Sequence, residues 1–155
     1  MTTKVEAQQN AAAILFYLSS NIDYYNEISR IPEAIPTLVH LMQEGTYRGW
    51  KNTLVSLYGV LQCSASSHGK AVSTGALAAL AALMCSDRDS LVNDTVALLA
   101  RLAEHPIGAA AVLSSSELVT HLIDFLSVSA SRLETLGTVG TWHYYVNCRF
   151  ASNRI

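Results

Sequence analysis

The chain has 155 residues, of which 50% are hydrophobic and only 14% charged, for a net charge of −2. That length fits one domain with a buried core, and the near-neutral balance (pI ≈ 6.2, no Lys/Arg cluster) argues against electrostatic binding of nucleic acid or of an anionic membrane surface. Cys63, Cys85 and Cys148 are too few and too scattered for a disulfide framework, and they read as reduced, buried thiols.

Taken from the start, Met1 to Asn10 is polar and lacks the charged-then-apolar plan of a signal segment. Residues 10–18 (NAAAILFYL) then carry a helix pattern, with small residues leading into Ile14, Leu15, Phe16 and Leu18. Ser19 to Asp23 is turn-like, and an arm ending at Pro32 follows. A second helix is expected over 33–44, with Pro36 in its first turn, where a missing N–H costs little, and Gly45 as its stop. Thr46 to Lys51 leads into a helix over 52–61. Ser64 to Gly69 reads as a loop before a helix over 75–85, whose apolar run Ala76 to Cys85 is about half what a bilayer span needs. Helices over 92–103 and 117–127 complete the series, with Ser114 to Ser116 placed to cap the last.

These segments repeat. Ala34, Ala76 and Leu118 stand at the same place in three copies of one apolar pattern, spaced by 42 residues. The long helices share that spacing: Asn10, Asn52 and Asp94 head them, and Leu15, Leu57 and Leu99 recur in register. Two segment families with one period predict an all-α fold, an α–α superhelix of about three 42-residue repeats, each a shorter helix, a break and a longer helix. The repeat domain is expected over 1–132. The chain enters on a long helix with no partner helix before it, the appearance of an interior repeat exposed by truncation. Around position 136, where the next long helix is due, three threonines and two glycines oppose a helix. Residues 133–155 therefore read as a divergent tail, as from an altered exon boundary.

The runs NAAAILFYLSS, IPEAIPTLVHLMQEGTYRGWKN and STGALAALAALM resemble armadillo repeats over about residues 7–132. Their wording is similar to the armadillo regions of plant U-box E3 ubiquitin ligases, where N-A-A-x-A-L-F-N-L-S and G-A-I-P-x-L-V-x-L-L recur. The resemblance implies a right-handed superhelix whose third helices line a concave face that binds other proteins. It further implies that a separate U-box, not visible in this sequence, recruits the ubiquitin-charged E2 enzyme, so an E2 is a partner only if a U-box is encoded elsewhere in the gene. Armadillo carriers of basic nuclear-localisation peptides use a Trp and an Asn on each third helix. Here the matching positions are Ala13, Val55 and Ala97, then Tyr17, Gly59 and Arg101, which disfavours that role.

The expected function is a protein–protein interaction module, the substrate- or partner-binding region of such a ligase, holding a peptide or helix along the 10–18, 52–61 and 94–103 helices. Tyr17 and Arg101, with Arg48 and Trp50 at the rim, are the expected contacts, because aromatic and Arg side chains dominate interface energetics. Packing competes as an explanation for Trp50, and helix capping is favoured for Asn10, Asn52 and Asp94. An adaptor unrelated to ubiquitination and a truncated product without its own function are the alternatives. No cofactor, metal, nucleic-acid or membrane partner is expected. His121 and Asp124, three apart, read as a surface pair, and no nucleophile elbow, P-loop or HExxH is present. Location is expected to be cytoplasmic and/or nuclear.

Overall fold

The computed structural model describes residues 2–18 and 21–133, and every element among them is a helix. In chain order they are α1 (Thr2–Leu18), α2 (Ile22–Arg30), α3 (Ala34–Glu44), α4 (Tyr47–Cys63), α5 (Ala65–Ser73), α6 (Ala76–Met84), α7 (Asp89–Ala103), α8 (Pro106–Ser114) and α9 (Ser116–Leu133). The expected tail lies outside the described residues apart from Leu133, as does the position due for a further long helix.

Local chemistry sets the boundaries. Asn21 accepts the Asp23 amide and starts α2. Gly45 ends α3. Pro106 opens α8 at the position where it costs least, and His105 Nδ1 accepts the Ile107 amide there. Ser115 Oγ accepts the Leu118 amide at the start of α9, the capping expected of that serine cluster. Between α5 and α6 the backbone reverses through Gly75 at φ +92°, a left-handed conformation that costs a residue with a Cβ about 1–2 kcal/mol.

Three features depart from the sequence reading. Ser64 to Gly69 is not a loop: Ala65–Ser73 is helical, with Ser67, His68 and Ala71 buried. The arm after Asn21 is likewise a helix, α2. Asn10, Asn52 and Asp94 do not cap, because α1, α4 and α7 begin at Thr2, Tyr47 and Asp89 and place these residues inside the helices.

Packing follows two successions. α1, α4 and α7 lie side by side, as do α3, α6 and α9, while α5 rests on α8 and α2 on α4. One core runs through all of them, from Tyr25 and Ile28 through Leu38, Leu57, Leu80 and Leu98 to Leu118. At about 25 cal/mol per Å² of apolar area, burial of such Leu side chains is the main term holding short helices that would be marginal alone. α6, the apolar run singled out by the sequence, is scaffold, with Ala76, Ala79, Leu80, Ala81, Leu83 and Met84 all buried. No single helix among the described residues is long and apolar enough to cross a membrane.

Candidate functional site

The expected contact face runs along α1, α4 and α7, and three columns of matched residues cross it. Asn10 is exposed, whereas Asn52 and Asp94 are half-buried. Ala13, Val55 and Ala97 are all half-buried, a low strip of small side chains. The third column is uneven. Tyr17 is 74% exposed. Gly59 is covered by Tyr25 of α2, whose ring lies where a Cβ would sit, 1.8 Å away. Arg101 is engaged on both sides, its Nη1 paired with Glu104 and its Nη2 donating to Tyr58 Oη at 3.1 Å.

That last contact belongs to a pair of clamps that join α4 to α7. At one end the Arg101 guanidinium lies 4.9 Å from the centre of the Tyr58 ring. At the other end the Arg88 guanidinium sits 4.1 Å from the centre of the Tyr47 ring, and Tyr47 Oη is 3.1 Å from Ser90 Oγ. The Ser90 hydrogen bond, with the nearby cationic groups, holds the Tyr47 phenol below its usual pKa. Tyr58, Arg88 and Ser90 escaped the sequence reading, although residues 43 apart (47 and 90, 58 and 101) carry the signal.

Arg48 is exposed near the start of α4. Trp50 is half-buried, its Nε1 fully buried without a hydrogen-bond partner. Trp50 also lines a cleft of about 520 Å³ between α3, α4 and α6, with Met42, Ala78, Ala79, Ala82 and Leu83. The four expected contacts are therefore not gathered at one spot: Tyr17 and Arg48 are open, Arg101 is tied into the α4–α7 joint, and Trp50 lines the cleft.

Cys85, His121 and Glu117 come together where the end of α6 meets α9. Cys85 Sγ lies 3.5 Å from His121 Nε2, and Glu117 Oε1 lies 3.8 Å from the same nitrogen. His121 therefore meets Glu117, one turn back, rather than the Asp124 singled out by sequence spacing. A nucleophile–base–orienter relay needs the two partners on opposite ring nitrogens, so this trio is not one. Among the described residues no group of three His, Cys, Asp or Glu side chains is placed to hold a metal ion. His68 is buried on α5, 3.3 Å through Nε2 from the Arg101 carbonyl and stacked on His105 with ring centres 5.2 Å apart, which ties α5 to α7 and α8.

No family model and no solved structure matches the chain. The chain is homologous to a segment of two curated proteins of Arabidopsis thaliana. It is 36% identical over 112 residues to U-box domain-containing protein 19, and 35% identical over 114 residues to U-box domain-containing protein 18. The matches take in 70% and 71% of this chain but only 16% of the length of either relative.

Proposed function

We propose that this chain is an armadillo-type superhelix that serves as the partner-binding region of a plant U-box ubiquitin ligase system. The observation that carries the reading is the homology to U-box domain-containing proteins, falling on a chain whose long helices recur every 42 residues and lie side by side. A row of parallel helices with a strip of small side chains (Ala13, Val55, Ala97) offers a shallow channel to an extended peptide or a helix. Tyr17, exposed, and Arg48 anchor the partner, while Arg101 shapes the far wall from within its clamp. The ubiquitin-transfer step itself belongs to a U-box and its E2 enzyme, which this chain would serve by holding the protein to be modified.

The test is face-specific capture. A photo-crosslinking residue placed at Ala13, Val55 or Ala97 should label one common protein in plant extract, and a residue placed at the exposed Ser73 on α5 should not. Tyr17→Ala with Arg48→Ala should cut that labelling at least tenfold with unchanged helical circular dichroism, since truncating an interface anchor costs about 2 kcal/mol or more. Equal labelling from both faces, or labelling indifferent to the substitutions, would remove this reading.

A further inference from the structure

Three arginines of the described residues are engaged: Arg30 with Glu27, Arg101 with Glu104, and Arg88 over the Tyr47 ring. Arg48 and Lys51 on α4 have no such partner. They are the only Lys or Arg residues of the chain that stand within four of each other. Three apart on one helix, they are surface neighbours, with Cβ atoms about 5–6 Å apart. Arg48 is exposed and Lys51 half-buried, and among the described residues neither forms an ion pair with a carboxylate. The matched positions one period away are Glu6 and Ser90 for the first, Gln9 and Asn93 for the second. The repeat therefore does not require a cation at either place.

Taken alone, the pair is placed against the local electrostatics. Arg48 lies in the first turn of α4, where the helix dipole favours Asp or Glu and disfavours a cation, and that turn has no acidic residue. α7, in the same row, follows the ordinary rule and opens on Asp89. Two like charges one turn apart repel as well. An anionic group laid over this part of α4 relieves both defects and supplies the missing counter-charge. The pair also belongs to the face already described, because Val55 lies one turn beyond Lys51 and two beyond Arg48 on the same side of the helix.

We propose, resting on the partner-binding reading, that the segment held along α1, α4 and α7 is extended and acidic, with two Asp or Glu residues separated by one residue over Arg48 and Lys51. In an extended chain, residues two apart point the same way and lie about 6.6–6.8 Å apart. That matches the spacing of the two cations, so each carboxylate meets one of them. The different depths of Arg48 and Lys51 suit two separate carboxylates better than a single phosphate. Glu6 on α1 and Asp89 and Asp94 on α7 flank the pair with negative charge, which confines the acidic residues to α4 and fixes the register of the segment. With a net charge of −2, the chain exerts no long-range pull on a polyanion, so recognition is local to this pair.

The test uses four pools of short peptides, random apart from a central triplet whose outer residues are Asp or Glu, Asn or Gln, Lys or Arg, or phosphoserine. With a photo-crosslinking residue at Val55, the chain should label the acidic pool about fivefold more than the amide pool, as two exposed ion pairs allow. That preference should shrink between about 0.1 M and about 1 M salt, as the screening length falls from about 10 Å to about 3 Å. Arg48→Gln with Lys51→Gln should level the two pools. Arg48→Glu with Lys51→Glu should reverse the ranking in favour of the basic pool; if it lowers the helical signal, the glutamine variant carries the comparison. Equal labelling of the acidic and amide pools, stronger labelling of the phosphoserine pool, or labelling of no pool overturns the proposal. An acidic preference that survives the glutamine substitutions does so too. The face-specific capture from plant extract is read separately, so its success beside any of these results leaves the partner-binding reading standing and removes the acidic segment alone.

Discussion

Thr53 and Thr95 occupy matched positions on α4 and α7, both fully buried, yet only one has its hydroxyl bonded in place. Thr95 Oγ1 donates to the Leu91 carbonyl at 2.8 Å, whereas Thr53 Oγ1 is buried without a hydrogen-bond partner. A buried group left unsatisfied costs about 1–3 kcal/mol, so Thr53→Val, which keeps the shape and β-branching, should raise stability by about 1 kcal/mol. Thr95→Val should leave stability level or lower it, and paired denaturant titrations compare the two. Tyr25 gives the pH dependence. Burial, with a smaller contribution from neighbouring Cys63, pushes its phenol up to about 12. The fold therefore holds Tyr25 neutral. Its contribution is complete below the unfolded value of about 10 and is lost as pH rises from there toward about 12. The unfolding midpoint should fall across that window, and Tyr25→Phe should flatten the part of the fall that belongs to this residue. The sequence left Tyr25, beside Tyr24, open between packing and interface contact, and Thr53 was an unremarked helix residue. Burial of a particular hydroxyl depends on which neighbour crosses the helix, and Gly59 admits the Tyr25 ring only because it has no Cβ.

At the scale of the helices, periodicity located the long apolar elements, because 3.6-residue patterning and tertiary burial agree there. The core stretches of α3, α4, α6 and α7 fall on the segments expected to be helical. The short helices α2, α5 and α8 were hidden by composition. Residues such as Ser66, Ser67 and Gly69 disfavour a helix in isolation, and α5 forms because Ala71, Ser67 and His68 are covered by its neighbours. Helix starts were misplaced for a related reason. The sequence reading has Thr46 to Lys51 only leading into the helix, but the Trp50 amide bonds the Thr46 carbonyl at 2.8 Å and the helix begins there. The α4–α7 clamps allow an element-scale measurement. Double-mutant cycles with Tyr58→Leu and Arg101→Met, then Tyr47→Leu and Arg88→Met, isolate each pair. The Arg101 pair, more buried, should couple by about 1–2 kcal/mol, and the exposed Arg88 pair more weakly. Absent coupling at both ends would show that packing alone joins the helices, and equal coupling that burial does not strengthen the Arg101 pair.

Over the whole molecule, the sequence was most informative about order along the chain and least about surface. A 42-residue spacing announces that neighbouring units are built alike, and the successions α1–α4–α7 and α3–α6–α9 have that character. It does not announce which of the matched positions end up open. Tyr17, Gly59 and Arg101 share one register, yet one is exposed, one lies beneath a tyrosine ring and one is locked to two neighbours. The candidate site was therefore legible as a face but not as a set of contacts. Selecting its members needed the cross-helix partners Tyr58 and Tyr25, which lie one position off the period or on a helix hidden by its composition.

The two clamps have a mechanical corollary. Tyr47 and Tyr58 lie eleven residues apart on α4, about 16 Å along its axis, and each is pinned to the α7 side. Two bodies fastened at two well-separated points can neither shear past each other nor pivot about a single fastener. α4 and α7 therefore behave as one stiff plate under torsion. When a load flexes the row of helices, the change of curvature falls on the joints to either side of that plate.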